Sequence, residues 1–186
     1  MILNLYLIYQ ILNKLIKLNN IKNILIISDT HQQLYNELHS EIKKQISNAD
    51  LVIHCGDITS ENVIKGIKKN ANQSIIVHGN SDPKEIRESL PKKKTFQIND
   101  ITFGVIHPYW GGPPPIDYEL ILNQFKNIKP QYILFGHTHD SHIEVYKGVT
   151  FINPGQGYSE FIIHASYCLI KINKNELSIK ITKILN

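Results

Sequence analysis

Apolar positions along the chain fall into two alternating rhythms. Residues 24–27 are an unbroken apolar run, as expected of a strand buried on both faces, and Leu34, Leu38, Ile42 and Ile46 then recur every fourth residue, as one helix face does. The alternation continues with a strand over 51–53, a short helix marked by Val63, Ile64 and Ile67, and a strand over 75–77. A β-α-β-α-β opening predicts parallel strands with right-handed crossovers. Beyond Pro91 the pattern changes, and 95–98 with 101–106 around Asn99-Asp100 predicts a hairpin. A helix over 118–125 leads to a strand over 132–135. Strands over 143–146, 149–152, 161–172 and 177–184 follow, with turns at Lys147-Gly148 and 173–175. The expected fold is α/β, a layered sandwich containing a mixed sheet.

The first twenty residues stand apart as an N-terminal extension, with the main domain over 21–186. The segment is rich in Leu, Ile and Asn and has no acidic residue before Asp29. Asn4, Gln10, Asn13 and Lys14 interrupt it too often for a membrane span, and the lysines follow the apolar stretch instead of preceding it as a secretory signal requires. Leu5, Ile8, Leu12 and Leu15 would make one apolar stripe on a helix, suited to docking on the domain, on a second copy in a homo-oligomer, or on a membrane surface. The other reading is a disordered extension.

Composition narrows the function classes. The 186 residues make one domain, with 42% hydrophobic and 19% charged residues. The net charge of +4 comes almost wholly from Lys, Arg87 being the single Arg, which does not match a dedicated nucleic-acid binder. Two cysteines, Cys55 and Cys168, make no disulfide framework and suggest a cytoplasmic protein with reduced thiols.

The chemistry lies where the strands end. The strand over 24–27 runs into Asp29-Thr30-His31, 51–53 into Gly56-Asp57, 75–77 into Gly79-Asn80-Ser81-Asp82, 101–106 into His107, 132–135 into Gly136-His137-Thr138-His139, and 149–152 into Asn153-Pro154-Gly155. Ligands of open α/β sheets bind beyond the carboxyl ends of strands, so these terminations can converge. His137 and His139, two apart, would face the same side if they continued a strand. Seven oxygen and nitrogen donors, Asp29, His31, Asp57, Asn80, His107, His137 and His139, exceed one tetrahedral zinc and fit two divalent ions better. Such a pair, about 3.5–4 Å apart and sharing a carboxylate, activates water and stabilises oxyanion charge.

This ordered set resembles the calcineurin-like metallophosphoesterase superfamily. The short length and the Gly-Asn-Ser-Asp form are similar to its small bacterial and archaeal phosphodiesterase group, to which the retromer subunit Vps29 is also similar. The resemblance covers about 21–186. It implies a sandwich of mixed β-sheets flanked by helices, and a phosphoesterase, chiefly a phosphodiesterase, using in-line attack by a metal-bridging hydroxide on a small phosphodiester or phosphomonoester. It implies that Asp29, His31 and His139 hold one metal, that Asn80, His107 and His137 hold the other, and that Asp57 bridges. Asp57, Asn80 and His107 would be the residues nearest the chemistry. Manganese is the expected metal, with zinc, iron, nickel or magnesium as substitutes. The alternative is a Vps29-like interaction subunit, against which all seven filled positions argue.

Three departures from the family pattern mark this chain. Ser81 stands where many members have a leaving-group acid, and serine is a poor acid near neutral pH. Pro108 follows His107 where Gly is common and opens an aromatic, Pro-rich stretch with Tyr109 and Trp110, which would stack an aryl group or pack as a surface turn. Gln156 replaces a usual Ser. His54 and His78 read as buried or rim histidines with one satisfied nitrogen, the other reading being donors behind the ligands or substrate contacts, and His39, His142 and His164 read as surface or sheet residues. Cys55 reads as a small buried hydrophobe, and the 92–94 lysine run as a solvated loop.

Overall fold

The computed structural model describes residues 15–108, 116–174 and 176–185. Two mixed sheets pack face to face. In one, β2 (Asn23–Ile27), β3 (Leu51–His54) and β4 (Ser74–Ile76) run parallel beside the antiparallel pair β10 (Ser166–Asn173) and β11 (Glu176–Lys183), in the order β11-β10-β2-β3-β4. In the other, β1 (Ile16–Leu18), the hairpin β5 (Lys93–Ile98) and β6 (Ile101–Ile106), β7 (Tyr132–Phe135), β8 (His142–Tyr146) and β9 (Val149–Asn153) take the order β1-β5-β6-β7-β9-β8. Strands β6, β7 and β9 are mutually parallel.

Period-two geometry divides the apolar runs between layers. In β2, Ile24 and Ile26 enter the core between the sheets, while Leu25 and Ile27 face the helices outside. The inter-sheet core joins them to Ile53, Phe96, Phe103, Val105, Leu134, Ile152 and Ile170. The helices α1 (Ser40–Asn48), α2 (Glu61–Asn70) and α3 (Lys84–Ser89) cover the first sheet with Ile42, Ile46, Val63, Ile67 and Ile86. The second sheet is covered by α4 (Tyr118–Gln124), which presses Ile121 against Ile106, Ile133, Phe135 and Phe151, with Phe125 alongside. Fully burying each such side chain contributes about 1.5–3 kcal/mol, so the layers are fixed by this apolar partition. No helix among the described residues is long and apolar enough to cross a membrane.

Several local expectations are corrected. The helix expected from Leu34 starts at Ser40, where the His39 ring accepts the Glu41 N–H; Leu34 precedes a short 3-10 turn and is half exposed. Residues 161–163, expected to open a strand, lie instead in a tight turn closed by reciprocal Glu160–Ile163 backbone bonds, with Phe161 at φ 49. Residues 16–18, assigned to the extension, form edge strand β1 and pair in parallel with 96–98 of β5, with Ile16 and Leu18 packed on the inter-sheet core. The stripe residues Leu5, Ile8 and Leu12, and Tyr109 and Trp110, lie outside the described residues.

Candidate metal centre

The topology places the ends of β2, β3 and β4 opposite those of β6, β7 and β9, and hydrogen bonds stitch the terminal loops together. Asp29 N–H donates to Gly56 O (3.0 Å), His31 N–H to Asp57 O (3.4 Å), and Gly157 N–H to Asp29 O (3.1 Å). His137 N–H donates to Asp29 Oδ2 (3.1 Å), joining the two sheets at this end. Asp29, His31, Asp57, His137 and His139 all have positive φ, at 51, 48, 55, 84 and 59°. Non-glycine residues in that region cost about 1–3 kcal/mol each, and such strain clusters at functional sites. His137 and His139 therefore lie in a left-handed loop beyond β7 instead of continuing it, and their rings diverge: His137 meets His107 and His139 meets His31.

Among the described residues, two sets of ligand atoms lie close enough to hold a cation, Asp29 with His31 and His139, and Asp29 with Asp57 and His107. Asp29 Oδ1 is 3.3 Å from His139 Nε2 and 4.0 Å from His107 Nε2. Asp57 Oδ2 is 3.4 Å from His107 Nε2 and 3.9 Å from His31 Nε2. The carboxylate common to both sets is thus Asp29, with Asp57 between His31 and His107. Asn80 Oδ1 approaches His107 Nε2 at 3.2 Å, and the His137 ring stands edge-on to that of His107. Among the described residues His137 is in neither set, and both it and Asn80 flank the second set through His107.

The donor chemistry fits divalent cations. His107 Nδ1 lies 2.8 Å from Cys55 O, and a carbonyl only accepts, so Nδ1 carries a proton and Nε2 faces oxygens of Asn80, Asp57 and Asp29. A proton or a metal must occupy that junction. Among the described residues, Asp29 Oδ1 and His31 Nε2 are buried without a hydrogen-bond partner, the condition of ligand atoms that a cation would satisfy. Burial alone would raise the Asp29 carboxyl, yet His139, His107 and Ser28 together hold it below the usual range. Burial likewise opposes ionisation of Asp57, but His107 and Ser81 pull its carboxyl far down. Burial would lower His107, and the two carboxylates outweigh it and raise the imidazole. The Asp29 contact raises His139, whereas burial and the neighbouring His107 lower His137.

Residues without an assigned role in the motif reading complete the site. Ser81 donates twice to Asp57, from N–H to Oδ1 and from Oγ to Oδ2, both at 2.8 Å. Asp82, buried, accepts the Thr59 N–H on Oδ1 and the Gly79 N–H on Oδ2, each at 2.7 Å, and so ties the β3 and β4 loops. Tyr158 sets its ring against those of His31 and His139. Gly136 admits the close approach of the sheets: a Cβ there would meet Ser28 Oγ at 1.9 Å and Asp29 Oδ2 at 2.6 Å. His54 is buried, with Nδ1 accepting the Gly56 N–H and Nε2 on the Thr30 hydroxyl, outside both ligand sets. Burial pushes the Cys55 thiol far up, consistent with an inert core residue.

Comparison with known proteins identifies the family and the fold. The profile of the calcineurin-like phosphoesterase superfamily domain matches residues 23–175, and the chain belongs to that superfamily. A probable metallophosphoesterase of Methanocaldococcus jannaschii is 36% identical over 133 residues, covering 70% of this chain and 65% of that relative's length. A phosphodiesterase of the same organism is 32% identical over 149 residues, covering 70% of this chain and 81% of its own. The solved structure of Chaetomium thermophilum Vps29 superposes with a TM-score of 0.70, covering 88% of this chain and 97% of that one; at 15% identity it shows the shared fold. The metallophosphoesterase fold expected from the strand-end motifs is the fold observed.

Proposed function

We propose that this chain is a dinuclear metal-dependent phosphodiesterase. The observation that carries the reading is the pair of buried, unpartnered ligand atoms, Asp29 Oδ1 and His31 Nε2, inside the larger set of Asp57, Asn80, His107, His137 and His139. Asp29, His31 and His139 would hold one cation, and Asp57, Asn80, His107 and His137 the other, with the Asp29 carboxylate shared by both. Divalent cations there supply an activated water and positive charge on the phosphoryl oxygens. The protein's own contribution is orientation. Cys55 O fixes the His107 tautomer, Ser81 fixes both oxygens of Asp57, and the His137 N–H fixes Asp29 Oδ2. Manganese suits the mixed oxygen and imidazole donors. The likeness to a phosphodiesterase at 32% identity supports the diester over the monoester. A Vps29-like interaction role is disfavoured, because a scaffold gains nothing from buried unpartnered ligands.

The test is hydrolysis of bis(4-nitrophenyl) phosphate with added Mn²⁺ by the parent, Asp57→Ala and Asn80→Ala. Parent turnover that both variants lose is expected. Parent activity no higher than that of the variants contradicts the enzymatic reading.

A further inference from the structure

The described part of the site has one wall that is neither ligand nor carboxylate. The Tyr158 ring lies 5.6 Å from that of His31 at 78° and 6.2 Å from that of His139 at 82°. It therefore stands perpendicular to two rings that would carry the same cation. Tyr158 is half-buried beside these imidazoles, so part of the residue stays accessible next to the site.

Tyr158 is also held in place. Its hydroxyl donates to Glu160 Oε2 at 3.3 Å, and its carbonyl accepts the amide of Gln156, a buried side chain, at 2.8 Å. The preceding residue, Gly157, donates its N–H to Asp29 O. An aromatic side chain with two rotatable angles, fixed at the hydroxyl and along the backbone, presents its surface at small entropic cost. Packing of His31 and His139 alone would not need this polar anchoring at the hydroxyl, since the ring contacts would serve as well without it.

We propose that Tyr158 is a specificity-determining residue that receives an aromatic group carried on phosphorus, which makes the substrate class aryl or other ring-bearing phosphodiesters. This rests on the phosphodiesterase reading. A phosphate held beside His31 and His139 directs one of its substituents past the Tyr158 ring, where offset or edge-to-face contact with a second ring is favourable. Such a contact adds about 0.5–1.5 kcal/mol beyond area burial, equivalent to about two- to tenfold in affinity.

The experiment uses two non-hydrolysable probes, phenylphosphonate and methylphosphonate, titrated calorimetrically into the Mn²⁺-loaded full chain, its Tyr158→Phe variant and its Tyr158→Ala variant. Retention of fold is verified by circular dichroism, and Mn²⁺ affinity is measured separately for each protein. The parent should bind phenylphosphonate about two- to tenfold tighter than methylphosphonate. Tyr158→Phe, which keeps the ring but loses its anchor to Glu160, should keep a ratio above one and no greater than the parent's, and Tyr158→Ala should reduce it to about one without weakening methylphosphonate. A ratio near one in the parent, or one that survives Tyr158→Ala, overturns the assignment. Equal weakening of both probes by Tyr158→Ala also overturns it, since the ring would then act only by positioning His31 and His139. If the loaded parent binds neither probe, the phosphodiesterase reading itself fails, an outcome distinct from binding both equally.

Discussion

Replacing Gly79 by Ala perturbs the centre without substituting any ligand. A Cβ at this position would lie 2.1 Å from Asp57 Oδ1 and 2.6 Å from the Asp57 backbone nitrogen. Favourable contact needs about 3.5 Å, so the carboxylate oxygen would have to retreat by about 1.4 Å. The nitrogen cannot retreat alone, because it belongs to a residue at φ 55 whose carbonyl accepts the His31 N–H. Overpacking of this kind costs about 1–3 kcal/mol, and at roughly 2–4 °C per kcal/mol the metal-free protein should melt about 2–12 °C lower. The larger effect is on the metal. Mn²⁺ at a hundredfold excess over its Kd should stabilise the parent by about 2.7 kcal/mol, a rise of roughly 5–11 °C, and Gly79→Ala should lose most of that rise. Gly148→Ala is the control. No described residue lies within 4 Å of a Cβ there, so its φ of 77° costs stability through backbone strain while the metal-induced rise survives. Thermal unfolding with and without Mn²⁺ reads both quantities, and a full metal-induced rise in Gly79→Ala would refute the claim that Asp57 must sit where it does.

Two further outcomes follow from the same geometry. His54 is held by burial at a pKa of about 4 against an ordinary 6.5, so its contribution is complete above pH 6.5 and is lost as pH falls from 6.5 through about 4, amounting to about 3 kcal/mol. Urea denaturation at pH 7 and pH 4.5 should show a smaller pH-dependent loss in His54→Asn than in the parent; equal losses contradict this. The Ser81 hydroxyl proton is committed to Asp57 Oδ2 instead of a departing oxygen. General acids contribute about a hundredfold or more, so aryl phosphodiesters should be cleaved at least about a hundredfold faster than alkyl ones, and comparable initial rates would reject the argument.

The site was more legible in the sequence than the surface elements around it. Buried parallel strands are continuous apolar runs, and a donor directly after each run marks the sheet edge where ligands gather. That logic singles out Asp29, His31, Asp57, His107 and His139, which the structure brings together, without any knowledge of side-chain direction. It could not assign Asp29 to both ligand sets, because sharing depends on the His137 N–H and the Gly56 carbonyl, groups every residue carries. Ser81 was read as a missing acid; that it clamps Asp57 is a matter of loop geometry alone. Helix α3 escaped notice because six residues with Ile86 as their one buried side chain show no periodicity. Leu34 matched the helical spacing of Leu38 and Ile42, but spacing does not reveal that His39 caps a helix beginning after it. Strand β1 is short and half-buried, and edge pairing to β5 decides it, a contact 80 residues away in sequence.

The central claim, a two-cation centre built around one shared carboxylate, is tested most directly by the stoichiometry of Mn²⁺ bound at saturation. The account predicts two ions per parent chain, one for His31→Ala, and none for Asp29→Ala. A single ion or none in the parent, or two ions still bound by Asp29→Ala, would contradict it.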